Sequence, residues 1–250
     1  MLSVEDLTVK YGSFTALDAI SFDVDEGQWL MVAGPNGAGK STIVSAVSQG
    51  VPYGGQIRFN GTDLSRMRSK LIARHIAILT QNHSVGYSFT VKEITMLGRY
   101  AYREAMSGFT KADEEAVQRA LEQTGMAEYA NKSVLALSGG ELQRVFLAQV
   151  FAQDPKLLIL DEPANHLDLI YQKQIFGIIK EWLCQEGRAV ISVVHELSLA
   201  RAYGTHALLM DKGRIVSHGE INNVLTAENL ETVYSMDVYA YMRQLLELWR

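Results

Sequence analysis

QWLMVAGPNGAGKSTIVSAV, residues 28–47, decides the fold. An apolar run, a loop with three glycines and a helix pattern follow one another without a break. The spacing Gly34-x-x-x-x-Gly39-Lys40-Ser41 matches a phosphate-binding loop set between a strand and a helix. Glycines let successive backbone N–H groups turn inward with no Cβ in the way, and at a helix start those groups form an anion nest. Lys40 is then placed to reach the β- and γ-phosphates of a nucleotide, and Ser41 to offer its hydroxyl to Mg2+. The candidate phosphate site is therefore Gly34, Pro35, Asn36, Gly37, Ala38, Gly39, Lys40, Ser41 and Thr42.

Downstream, KLLILDEP (156–163) and RAVISVVH (188–195) are short apolar runs separated by the helix pattern YQKQIFGIIKEWLCQ. Strand–helix–strand order with such runs predicts buried parallel strands and an α/β fold. Asp161 closes the first run and can hold Mg2+. Glu162, next to it, is placed to polarise an attacking water as general base. Gln81 ends the run HIAILTQ (75–81), and His195 ends the run RAVISVVH. Groups at the carboxyl ends of such strands converge on the ligand crevice, which assigns both to the same site.

Before residue 60, LTVKYG, AISFDVDEGQWLMVAG and GQIRFNGTDL read as strands broken by Gly, Asn and Asp turns. GKSTIVSAVSQG reads as a helix whose last residue, Gly50, suits a C-cap. Residues 82–136 turn helical: Thr90 with Glu93, and Thr110 with Asp113, have capping-box spacing, and Gly125 closes the second helix. HALLMDKGRIVSHGE predicts a hairpin turning at Asp211–Gly213. The expected organisation is one domain: an α/β core with a β subdomain over 1–81 and 137–225, a helical lobe over 82–136, and a helical tail over 226–250.

Composition limits the partners. A net charge of −5 leaves no cationic excess to neutralise a nucleic-acid backbone, so no nucleic acid is expected. The locally basic stretch RMRSKLIAR (66–74) reads as the solvated side of a helix. Cys184 is the only cysteine, which excludes an intrachain disulfide and a cysteine zinc cage and fits a reducing compartment. The start, MLSVEDLTVKYG, has no signal-peptide pattern, and no apolar run reaches the roughly 20 residues of a membrane helix. Work at a membrane would require another chain to hold this one there.

A second glycine pair stands in LSGGE (137–141). Ser138 and Glu141 have capping-box spacing, but that does not account for two consecutive glycines, each costing a helix about 1 kcal/mol relative to alanine. Bare backbone at a helix N-terminus beside a free hydroxyl is a second phosphate-binding surface. The first loop already wraps its own nucleotide, so Ser138, Gly139, Gly140 and Glu141 are expected to meet the γ-phosphate held by another copy.

In this order, GPNGAGKS, Gln81, LSGGELQR, LILDEP, NHLD (165–168) and His195 resemble the ATP-binding subunits of ABC transporters over nearly the whole chain. The resemblance implies a P-loop NTPase (RecA-like) core with an N-terminal antiparallel β subdomain and an inserted α-helical subdomain. It implies ATP hydrolysis with Mg2+, Tyr11 stacking on adenine, Gln81 sensing the γ-phosphate and sharing the metal with Ser41 and Asp161, and His195 as a switch on the γ-phosphate. It further implies a head-to-tail dimer, two ATP molecules being sandwiched between one copy's loop and the other's LSGGE, with Asp168 contacting across the dimer. TVKEITMLGRY and DEPANHLDL resemble the importers of iron–siderophores, haem and vitamin B12. The chain departs from them at Tyr100–Ala101–Tyr102, where a proline is common, and at Ala164, where threonine or serine is usual. That class implies transmembrane permease subunits, an extracytoplasmic substrate-binding protein, and residence on the cytoplasmic face of the cell membrane. A soluble ABC-type ATPase, such as an iron–sulfur assembly scaffold, and an exporter ATPase share the catalytic motifs and stay open at this point.

Overall fold

Alternation of buried and exposed side chains writes the first strand, β1 (Leu2–Tyr11), with Leu2 and Val4, then Leu7 and Val9, inward. The two pairs are out of phase because Asp6 takes a left-handed φ of 49° and the register to its neighbour shifts there. That bulge explains why the sequence pattern marks the strand only from Leu7, although pairing starts at Leu2. The computed structural model describes residues 1–80, 86–104, 108–165 and 167–249. It divides into two units, Met1–Ser65 with Ile191–Arg250, and Arg66–Val190.

In the first unit, β1 lies between β2 (Phe14–Val24) and β4 (Gly54–Phe59), and β5 (Thr62–Asp63) pairs with β4, all antiparallel. A second sheet carries β3 (Trp29–Ala33), every residue of which is buried, parallel to β9 (His206–Asp211). β10 (Arg214–Glu220) returns antiparallel to β9, the expected hairpin with its turn at residues 211–213. The indole N–H of Trp29 donates to Ser192 Oγ at 2.8 Å, so the largest side chain of this core leaves no polar atom unsatisfied. Helix α1 (Lys40–Val47) follows β3, and α7 (Leu197–Tyr203), α8 (Ile221–Val224), α9 (Ala227–Tyr234) and α10 (Val238–Glu247) complete the unit. Gly50 does not take the left-handed turn expected of it. Gln49 does, with φ 59°, and Gly50 N–H reaches Ser45 carbonyl at 2.8 Å one position later. The paired bonds are those of a Schellman ending, shifted by one residue.

The second unit pairs β6 (Ile76–Leu79) in parallel with β7 (Leu157–Asp161), the first of the two predicted buried runs. The other run is β8 (Ala189–Val193), all buried, whose chain passes from this unit into the first. Helices α2 (Ser69–His75), α3 (Val91–Leu97), α4 (Lys111–Gln123), α5 (Gly139–Ala152) and α6 (Leu169–Leu183) belong here. All three anticipated capping boxes form, at Thr90/Glu93, Thr110/Asp113 and Ser138/Glu141. Gly125 ends α4 with φ 65°. Arg99 then ties α3, α4 and α5: its Nε donates to Asp113 at 2.9 Å, its Nη1 to the Ala152 carbonyl at 2.9 Å, and its plane covers Tyr102 at 3.7 Å. The Tyr102 hydroxyl donates to the Gln153 carbonyl at 3.0 Å, which anchors the ring that carries the guanidinium.

Candidate functional site

The loop after β3 owes its path to two close approaches. Gly34 and Gly39 hold φ of 148° and 97°, where a side chain is strained. A Cβ on Gly34 would overlap the Met210 carbonyl of β9, and one on Gly39 would stand 2.7 Å from the Ala16 carbonyl of β2. The hairpin turn closes on the same loop. Gly213 N–H donates to the Ala38 carbonyl at 3.1 Å, while its own carbonyl accepts from Asp18 N–H at 2.9 Å. At the loop's entry, the Gly34 N–H donates to the hydroxyl of Tyr234, at the end of α9. Burial pushes that phenol above its ordinary range, and the Gly34 contact offsets part of the rise.

Lys40 is buried, and its Nζ donates to the carbonyls of Gly34 at 2.8 Å and Pro35 at 2.9 Å. The ammonium therefore already lies along the loop it is expected to serve. Helix α1 starts with neither a side-chain cap nor an acidic residue in its first turn. Its terminal N–H groups and Lys40 together place positive charge at the loop, suited to an oxyanion. Asn36, Gly37 and Ser41 are exposed, Pro35, Gly39 and Thr42 half-buried, and Ala38 buried. Tyr11 ends β1 with its ring exposed, and His195, also exposed, stands between β8 and α7.

In the second unit, Asp161 is the last residue of β7, and Glu162 follows with a left-handed φ of 54°. A non-glycine residue in that region is uncommon, and such strain concentrates at working positions. Asn165 Nδ2 donates to Glu162 Oε2 at 2.6 Å, which fixes the carboxylate's direction. Gln143, on the second turn of α5, donates its amide to the Pro163 carbonyl at 2.8 Å.

At LSGGE the expectation of a free hydroxyl is corrected. Ser138 Oγ donates to Glu141 Oε2 at 2.9 Å and accepts from Glu141 N–H at 3.3 Å, so the capping box uses it in both directions. The Ser138 backbone N–H, and after it the hydroxyl, hold the Glu141 carboxyl below its ordinary range. The two glycines also differ. Gly139 is exposed, with no atom near the position of a Cβ, whereas Gly140 is buried and a Cβ there would overlap the Tyr171 ring. Asp168 caps α6, accepting from Tyr171 N–H at 3.0 Å. Gln81 lies outside the described residues. The residues the sequence reading missed are Gly213, Tyr234, Tyr171, Gln143 and Asn165. Gln143 and Asn165 stand inside motifs already singled out, and Gly213 in the hairpin turn; Tyr171 and Tyr234 carry no local signal.

The family model for the ABC transporter matches residues 17–165, more than half of the chain. The chain belongs to the ABC transporter family. It is an ATPase of that family, with the α/β fold and antiparallel β subdomain that the motifs implied. An ABC relative, the ferric enterobactin transport ATP-binding protein FepC of Escherichia coli strain K12, is 34% identical over 233 residues, covering 93% of this chain and 86% of FepC. The hemin import ATP-binding protein HmuV of Pseudomonas entomophila is 38% identical over 244 residues, covering 95% and 94%. Among solved structures, the dimeric bacterial ABC transporter cassette MJ0796 superposes with a TM-score of 0.76 at 22% identity, covering 89% of this chain and 99% of that one, a likeness of fold. Among the described residues no helix is long and apolar enough to cross a membrane.

Proposed function

We propose that this chain is the ATP-hydrolysing subunit of an importer for an iron–siderophore, haem or cobalamin-like substrate. The observation that carries the proposal is its likeness to FepC and HmuV, at 34% and 38% identity, over nearly the full length of each chain. In this reading it sits on the cytoplasmic face of the membrane, held by permease subunits that receive substrate from an extracytoplasmic binding protein. Residues 82–136 form the helical arm, and 1–81 with 137–225 the nucleotide-binding core.

Residues 34–42 wrap the triphosphate, and Lys40 exchanges the Gly34 and Pro35 carbonyls for β- and γ-phosphate oxygens. Tyr11 stacks on adenine. Oxygen donors suit Mg2+, which is held through one or two carboxylates while substrate phosphates and water complete its octahedron. Ser41 and Asp161 are the oxygens offered here, with Gln81 as a third, and the ion, when bound, neutralises charge that develops on the phosphates. Glu162 accepts a proton from the attacking water, its direction fixed by Asn165. His195 contacts the γ-phosphate. A second copy supplies Ser138, Gly139, Gly140, Glu141 and Asp168 to each nucleotide. Ser138 must turn its proton from Glu141 to the phosphate, so its donor becomes available only when a stronger acceptor arrives.

Glu162→Gln tests the base. Turnover should fall about 10²–10⁴-fold, the usual worth of a positioned base, while an ATP-dependent dimer becomes easier to trap. Unchanged hydrolysis removes Glu162 from that role. Ser138→Ala tests the second copy's contribution: ATP-driven pairing is lost while a fluorescent ATP analogue still binds the monomer. A loss of monomer affinity as sharp as that of Lys40→Ala overturns the assignment. Purification in mild detergent tests the importer. A polytopic membrane protein together with an extracytoplasmic binding protein supports it, and a soluble complex alone overturns it.

A further inference from the structure

Two segments that Proposed function assigns to the neighbour's nucleotide, the start of α5 and the turn at Asp168, are 27 residues or more apart in sequence. In this chain they meet at one residue, Tyr171, one through its ring and the other through its backbone N–H. The Tyr171 ring lies where a Gly140 side chain would project, and Gly140 is buried beneath it. The Tyr171 backbone N–H donates to Asp168 Oδ1 at 3.0 Å. Its neighbour Gln172 is buried and donates Nε2 to the Leu167 carbonyl at 3.2 Å, stiffening the same turn. Gln143 braces the other side through the Pro163 carbonyl at 2.8 Å. Gly139, adjacent to the contact, keeps its open backbone.

We infer that Tyr171 is a positioning residue that sets the Ser138–Gly139 turn and Asp168 at a fixed mutual placement, so that a partner copy meets them as one surface. The inference rests on the reading that these residues act on the neighbour's ATP. Its physical content is the bulk of the ring: the ring fills the space over Gly140 while its own main chain is held by Asp168. A misplacement of about 1 Å at such a surface is enough to cost on the order of 10²-fold in rate. The hydroxyl has no part in it, so phenylalanine serves as well.

The test is a double-mutant cycle on the purified full-length chain. Tyr171→Leu and Gly140→Ala should each lower ATP turnover tenfold or more. Monomer affinity for a fluorescent ATP analogue should stay within twofold, because the loop at 34–42 is untouched. Tyr171→Phe should restore turnover to within twofold. With the ring gone, a methyl on Gly140 meets nothing, so the double variant should be no slower than the slower single one. Losses that multiply in the double variant overturn the inference, as does Tyr171→Phe behaving like Tyr171→Leu, or a turnover loss accounted for by a matching fall in melting temperature. These outcomes are distinct from failure of the underlying reading, which shows as lost monomer affinity in Ser138→Ala. Multiplying losses with that affinity intact sink only the role given to Tyr171.

Discussion

Gly139 and Gly140 are neighbours that lack a side chain for opposite reasons. At Gly140 a methyl overlaps the Tyr171 ring, so Gly140→Ala should destabilise by about 1–3 kcal/mol, the usual range for overpacking a tight contact. At Gly139 the space is open and the residue is the first of α5, so Gly139→Ala should leave melting unchanged or raise stability by up to about 1 kcal/mol. Its effect belongs to function: ATP-driven pairing should be lost from a protein that melts no earlier. Calorimetry beside a pairing assay on the two variants separates a glycine kept for packing from one kept for access.

The helical segments are held by an ion pair that is itself built from a cap. Asp113 closes the Thr110 capping box through one oxygen and receives Arg99 Nε on the other, with only 6% of its side chain exposed. Burial pushes this carboxyl upward, but the Thr110 backbone N–H, Arg99 and the Thr110 hydroxyl together outweigh burial and hold it below the ordinary range. Removing one partner of a buried pair strands the other, so Asp113→Ala should cost about 3–5 kcal/mol. The depressed carboxyl also sets a pH window. Its stabilisation is complete above the unfolded value near about 3.9 and is lost as pH falls through the lower folded value. Asp113→Asn should therefore flatten the acid limb of the stability curve, read from melting temperature between neutral pH and strong acid. Thr110 with Asp113 was legible in the sequence because a cap depends on residues three positions apart, and so were Thr90 with Glu93 and Ser138 with Glu141. The partner of Asp113 was not legible: Arg99 comes from the turn after α3, and nothing local announces it. For the same reason the sequence marks β1 only from Leu7, since a bulge at Asp6 breaks the alternation on which the reading depends. At the candidate site, the phosphate loop and the two acids at the end of β7 were readable as motifs. The contacts of Tyr171 on Gly140 and Tyr234 on Gly34 join distant positions through packing and left no pattern.

At the scale of the molecule, one unit is made from both ends of the chain, Met1–Ser65 and Ile191–Arg250, and the phosphate loop belongs to it. β3 needs β9, Ala38 needs Gly213, and Gly34 is met by Tyr234. The candidate phosphate loop is translated early, while the residues that contact it come nearly 200 positions later. Chains truncated after residue 205, which lack β9, the hairpin turn and Tyr234, should show no measurable binding of a fluorescent ATP analogue, although every residue of the loop is present. Retained affinity would mean that the loop keeps its shape unaided. At about 5–20 residues per second, the interval between synthesis of Lys40 and of Tyr234 is about 10–40 s. If the truncated chain fails to bind, a growing chain carries the whole phosphate motif for that time without a usable site. The order in which the ribosome writes the chain would then act as a clock on the site, started by the last helices to emerge.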